Sequence, residues 1–183
     1  MKEIRLHGRG GAGVVMASEI LARAFLKEGK HVISMPSFGP ERRGAPVTAF
    51  VRIAESPIRE KTHVYSPDCL IVMDSDLMSL PVIYQGLKPD CILLLNTIEP
   101  PEKTPDKDIK VLGIIDATGI ALEEMGVPIT NACMLGAFAS ATNWLSLDFI
   151  LSSMEKNFTG ERLRVNANSA RRGFEEVRVI KYS

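Results

Sequence analysis

The stretch LHGRGGAGVV, Leu6 to Val15, lies between a short apolar run and a segment with helical periodicity. Glycine inside an element costs roughly 0.5–1 kcal/mol relative to alanine, so Gly8, Gly10, Gly11 and Gly13 need a local reason. EIRLHG reads as a strand. GVVMASEILARAFLKEG follows, with Val15, Ile20, Leu21, Ala24 and Phe25 at helical spacing and Gly29 as the stop, and HVISM is a second strand. This order predicts a βαβ unit with parallel strands and a right-handed crossover.

The remaining segments extend the pattern. VTAFVRIA alternates as a strand, and the turn SPI leads toward further extended chain. CLIVMD and CILLLNT are nearly pure apolar runs, the signature of central parallel strands covered on both faces. DLMSLPVIYQGL between them reads as a helical crossover, interrupted near its middle by Pro81. KVLGI is another strand, and DATGIALEEMG is a short helix closed by Gly126. NACMLGAFASATNWL is a helix of small and apolar residues, with Asn131 as candidate N-cap and a composition that lets another backbone approach closely. SLDFILSSMEKNF and the more polar ERLRVNANSARRGFEEV complete the chain. The expected fold is α/β: a Rossmann-like, doubly wound, mostly parallel sheet with an α-rich C-terminal third, in one domain spanning residues 1–183.

Charge and cysteine usage narrow the function classes. Lys plus Arg and Asp plus Glu number 22 each, which gives no overall steering toward nucleic acid or an anionic membrane. Cys69, Cys91 and Cys133 are too far apart to form an iron–sulfur or zinc motif, and they read as small buried residues of a reducing compartment. His7, His31 and His63 form no i, i+4 ligand pair, so no metal site is expected; His7, beside the glycine turn, is the one that remains near a ligand. The charged opening MKEIRLHG is not a leader-like segment and no run reaches membrane-spanning length, so a cytoplasmic chain is expected.

Gly8, Gly10 and Gly13 satisfy G-x-G-x-x-G after a strand and before a helix. Such glycines allow a tight turn, close approach of backbone N–H groups to an anion, and packing of helix on strand. The competing reading is a compact turn that binds nothing. A nicotinamide cofactor is disfavoured, because the acidic ribose ligand due about 20 residues on is replaced by Ser34-Met35-Pro36-Ser37. The loop PSFGPERRGAP then frames Ser37, Phe38, Glu41, Arg42 and Arg43 at the carboxyl end of a strand, where open α/β sheets bind ligands. Arginine offers a planar fork to phosphate and phenylalanine stacks a base or packs a partner; the alternative is a solvated loop in which Glu41 pairs with an arginine. Asp74, Asp76 and Asp116 follow strands and read first as helix caps, then as site groups.

On LHGRGGAGVVMASEILARAFLKEGKHV, PSFGPERRGAPVTAFVRI and NACMLGA, the chain resembles the gamma subunit of the 2-oxoacid:ferredoxin oxidoreductases, of the pyruvate and 2-oxoisovalerate type. Ala12 departs from the glutamine common in that family, which removes a polar side chain and leaves the backbone donors. The resemblance implies a multisubunit enzyme that decarboxylates a 2-oxoacid, passes the acyl group to coenzyme A and delivers electrons to ferredoxin. It implies alpha-, beta- and delta-type partners carrying thiamine diphosphate and iron–sulfur clusters, with no catalytic residue on this chain, and it admits a homodimer of the isolated chain. The coenzyme A contacts it implies are Gly8, Arg9, Gly10, Gly11, Ala12, Gly13, Ser37, Phe38, Arg42 and Arg43. A subunit for indolepyruvate or 2-oxoglutarate, and a purely structural subunit, are the rival readings.

Overall fold

A computed structural model describes residues 1–38 and 46–182. The elements are β1 (Lys2–Arg9), α1 (Val14–Lys27), β2 (His31–Phe38), β3 (Pro46–Ala54), β4 (Cys69–Val72), β5 (Cys91–Asn96), β6 (Ile109–Ile115), α2 (Ala117–Met125), α3 (Asn131–Thr142), α4 (Leu147–Met154), α5 (Gly160–Glu176) and β7 (Arg178–Lys181). They build one seven-stranded sheet in the order β2-β3-β1-β4-β5-β6-β7. β1, β4, β5 and β6 pair in parallel, while β3 is antiparallel to both β1 and β2, and β7 to β6. The α/β, mostly parallel architecture is the one the sequence implies.

Five details differ from the sequence reading. β1 and β2 run the same way but are not hydrogen-bonded neighbours, because the chain returns from β2 as β3 and inserts between them. β2 continues past HVISM through Pro36, Ser37 and Phe38. Glu3 and His7 direct their carbonyls to β4, so strand alternation turns the even-numbered residues of β2 to the sheet margin. Pro36 is one of them, and its missing N–H costs no ladder bond. The segment DLMSLPVIYQGL forms two 3-10 turns, Ser75–Ser79 and Pro81–Tyr84, instead of a helix. Pro81 blocks helix continuation and holds Leu80 extended at φ −90°, ψ 110°. Residues 55–68 carry no strand, and β7, too short and too polar to stand out, closes the far edge.

Two cores lie on opposite faces. Ile4, Leu6, Ala49, Val51, Ile71 and Leu94 pack under the α-helices, while Leu70, Val72, Leu93, Leu95, Leu112 and Ile114 pack against the 3-10 segments through Leu77, Ile83 and Tyr84. β4 and β5 are therefore buried on both faces, as their composition demands. Within the helical layer, α3 is apolar all round and meets α5 at backbone contact: a side chain on Gly136 would strike the carbonyl of Ala170, and one on Gly173 that of Cys133.

Beneath β1 and β3 the second face is polar yet buried. Arg5, 8% exposed, donates to the carbonyls of Ile83 (2.8 Å), Gln85 (2.9 Å) and Tyr65 (3.3 Å). Arg52, 3% exposed, bonds Glu3 Oε1 (2.8 Å) and the His63 carbonyl (3.1 Å). Glu3 Oε2 and Asp68 Oδ2 both take Lys88 Nζ, at 2.9 and 2.8 Å. These charge-assisted bonds fasten irregular chain to the sheet where an apolar core is missing. His7 shares this face, with Nδ1 3.4 Å from Thr48 Oγ1 and Nε2 buried without a partner among the described residues. Burial, helped by the Arg5 charge, pushes its pKa down to about 4.

Two outcomes follow from this packing. Gly173→Ala must separate α3 from α5, so it should destabilise by about 2–3 kcal/mol, read as a fall in thermal midpoint of roughly 5–10 °C. In the unfolded chain His7 regains its ordinary value near 6.5, so between pH 6.5 and 4 the unfolded state binds the extra proton. The stability that neutral His7 confers is whole above about pH 6.5 and is lost as pH falls toward 4. Denaturant titrations across that window should show a slope near one proton, roughly 1.4 kcal/mol per pH unit, that disappears in His7→Asn.

Candidate functional site

The glycine turn stands at the carboxyl edge of β1. The Ala12 N–H donates to the Arg9 carbonyl at 3.0 Å, and Gly11 and Gly13 take φ +101° and +80°, values that favour glycine. The packing role falls to Gly8 and Gly13. A β-carbon on Gly8 would lie 2.5 Å from Val14 Cγ2, and one on Gly13 2.6 Å from Asn131 Nδ2. Gly10 and Gly11 are exposed, and a β-carbon on Gly11 would meet nothing within 4 Å. Gly13 leads into α1 without a side-chain cap, and the first turn of α1 holds no acidic residue. Backbone donors and the positive end of the helix dipole thus stand at a turn whose Gly10 and Gly11 are exposed.

Side chains flank the turn unequally. On the β4 side, Arg9 is bound by Asp74 (Nε–Oδ2 3.1 Å) and Asp76 (Nη2–Oδ2 3.2 Å), which offset its charge. Asp74 also caps its 3-10 turn by accepting from the Asp76 N–H at 2.9 Å, and Asp116 caps α2 through the Gly119 N–H at 2.8 Å. On the other side, Ser37 and Phe38 register across β3 with His7 and Gly8, through Thr48 and Val47. Two strand spacings put them about 10 Å from the turn. Arg42 and Arg43 lie outside the described residues.

α3 begins at the same edge, and here the cap assignment changes. Thr130, already helical at φ −89°, ψ −7°, occupies the N-cap position, and its hydroxyl lies 3.4 Å from the Met73 carbonyl. Asn131 is the first helical residue, 1% exposed and pressed against Gly13. Asn96, at the end of β5, donates to the Met73 carbonyl (3.0 Å) and to Thr118 Oγ1 (2.9 Å), locking the ends of β4 and β5 to α2. Sequence reasoning missed Asn96; its only signal is a polar residue closing an apolar strand. The three thiols are buried in separate elements, and burial pushes those of Cys91 and Cys133 up to about 12. Among the described residues no group of three His, Cys, Asp or Glu side chains could hold a metal ion, and no helix is long and apolar enough to cross a membrane.

Comparison with known proteins fits this geometry into a family. The chain is 46% identical over 184 aligned positions to the pyruvate/ketoisovalerate oxidoreductases common subunit gamma of Pyrococcus abyssi, covering 99% of this chain and all of that one. The crystal structure of pyruvate oxidoreductase subunit PORC from Thermotoga maritima superposes with a TM-score of 0.86 at 40% identity, over 98% of each chain. A 2-oxoglutarate:ferredoxin oxidoreductase from Magnetococcus marinus, solved with 2-oxoglutarate, coenzyme A and succinyl-CoA bound, shares the fold at 20% identity and TM-score 0.78, over 94% of this chain and 30% of that one. Residues 3–176 match the family described as pyruvate ferredoxin/flavodoxin oxidoreductase, and the chain belongs to that family.

Proposed function

We propose that this chain is the gamma subunit of a pyruvate or 2-oxoisovalerate:ferredoxin oxidoreductase, working beside alpha-, beta- and delta-type subunits, and that its own task is to hold coenzyme A. The observation that carries the reading is the exposed, left-handed glycine turn at the uncapped start of α1. Backbone N–H groups of the Gly10 to Gly13 turn, apart from that of Ala12, which the Arg9 carbonyl takes, face the diphosphate, which such a terminus favours. Arg42 or Arg43 neutralises the ribose 3′-phosphate, and Ser37 and Phe38 border the pantetheine or adenine path. Gly8 and Ala12 shape the turn, while Arg9, held by Asp74 and Asp76, contributes its backbone more than its charge.

Thiamine diphosphate and iron–sulfur clusters, carried by partner subunits, supply decarboxylation and electron transfer to ferredoxin. This chain does not fit a cluster, since its thiols are buried in β4, β5 and α3. It binds and orients the acyl acceptor by electrostatics alone, without a general base or nucleophile. The Pyrococcus relative is named as common to pyruvate and ketoisovalerate enzymes. That sharing suits a subunit whose ligand is coenzyme A, which both reactions use, and coenzyme A is bound in at least one enzyme containing this fold. The neutralised Arg9 favours a second reading, a structural subunit whose turn holds no ligand.

Coenzyme A titration of the assembled enzyme separates the two. Charge-assisted hydrogen bonds contribute about 1.5–3 kcal/mol, and 1.4 kcal/mol is tenfold in affinity. Arg42→Ala with Arg43→Ala should therefore weaken coenzyme A about tenfold or more and leave 2-oxoacid affinity unchanged. Equal coenzyme A affinity in the two enzymes leaves only the structural reading.

A further inference from the structure

The two margins of the sheet are built differently. β7, at one, is four residues long and carries Arg178 and Lys181, the short, charged form that discourages a further strand. β2, at the other, is eight residues long, and His31–Phe38 contains no Lys, Arg, Asp or Glu. Ile33, Met35 and Ser37 bond β3, so the backbone N–H and C=O groups of Val32 and Ser34 point outward, where no strand lies among the described residues. Pro36 removes one donor near the carboxyl end only. Such an edge is a template for another strand.

The helix above this edge supplies an independent observation. Ser34 Oγ donates to Ser18 Oγ at 3.2 Å, while Lys27 and Arg23 reach the other way, to Ser152 of α4 and to Asn157 just past it. These contacts fix the rotation of α1. They leave Val15, Glu19, Ala22 and Leu26, spaced i, i+4, i+7 and i+11, in a stripe above the β2 margin. Three of the four are apolar, and Leu26 is 54% exposed.

We propose that the β2 margin joins a second copy of this chain, the two β2 strands pairing antiparallel about a two-fold axis at Ile33. In this register Val32 and Ser34 of one copy exchange both backbone bonds with Ser34 and Val32 of the other, and none of these bonds needs the missing N–H of Pro36. Ile33, half-buried in one chain, meets its counterpart across the axis. The helix layer identifies the occupant. α1 lies across both β2 and β3, so the two-fold sets its axis about 10 Å, two strand spacings, from that of the copy, the ordinary distance for packed helices. With Ser18 above Ser34, the antiparallel helices bring Leu26 against the copy's Val15 and Glu19 near the copy's Arg23. A bare strand added to β2 would satisfy the backbone and leave Leu26 in water; a second copy covers both.

Light scattering and amide hydrogen exchange on the full chain provide the test. The chain should be a dimer in solution. Leu26→Glu alters an exposed position, so it should keep the fold by circular dichroism and weaken dimerisation about tenfold or more. The Val32 and Ser34 amides point away from β3, so in the dimer they should exchange about tenfold or more slowly than in the dissociated chain. A monomeric chain overturns the proposal. So does a dimer whose Val32 and Ser34 amides exchange freely, or one that Leu26→Glu leaves equally tight, because each places the contact on another surface. If Leu26→Glu does not fold, exchange at Val32 and Ser34 in the unsubstituted chain decides.

Discussion

The close approach of β1 to the start of α1 governs the whole carboxyl edge. With Val14 Cγ2 standing 2.5 Å from the β-carbon position of Gly8, only a glycine lets the helix begin so near the strand it leaves. That nearness brings Gly13 against Asn131 and so draws the start of α3 to the same point. α3 can hold its position because Gly136 and Gly173 let it lie backbone to backbone on α5. Glycines in three separated segments thus act together. Each removes a side chain at a contact where volume would push helix ends away from the turn, and packed interiors transmit such displacements instead of absorbing them.

The two faces of the sheet solve burial differently. The helical face relies on apolar area, at roughly 25 cal/mol per Å². The opposite face, under β1 and β3, relies on the guanidiniums of Arg5 and Arg52, whose donors meet carbonyls of irregular chain and the carboxylate of Glu3. Such an arrangement tolerates little change, because loss of one cation leaves several buried acceptors without donors. His7 sits where this polar layer reaches the carboxyl edge, and its depressed pKa records how dry that junction is.

Much of this was legible from local pattern. β4 and β5 announce themselves because burial on both faces leaves only apolar residues, and β1 and α1 because a glycine turn separates two periodicities. Strand order was not legible: nothing in VTAFVRIA says that it returns between β1 and β2, since pairing is decided by contacts remote in sequence. Pro36 hid the end of β2, as proline reads as loop unless its N–H is known to point outward. The burial of Arg5 and Arg52 has no local signal, because the carbonyls that bury them arrive from chain between residues 62 and 85. Of the candidate site, the turn was legible from glycine spacing. Asn131 was not, since an asparagine opening a helix reads as its cap, and only the fold shows Thr130 in that position and the amide facing Gly13.

The carboxylates beside Arg9 give the turn a direction. Asp74 and Asp76 carry two negative charges against the single guanidinium, on the β4 side alone. Solvent screens the exposed Asp76 most, and the carboxylate charge that Arg9 leaves unmatched disfavours phosphate on that side. The N-termini of α1 and α3 carry partial positive charge without any acidic side chain in their first turns. An anion at the turn is therefore repelled from the β4 side and drawn toward α3, the side on which the Asn131 amide lies. Reversing that preference would require removing the carboxylates that hold Arg9, which would also free its guanidinium to swing toward the turn; the positions of Arg9, Asp74 and Asp76 thus bear on the orientation of a bound anion as well as on its affinity.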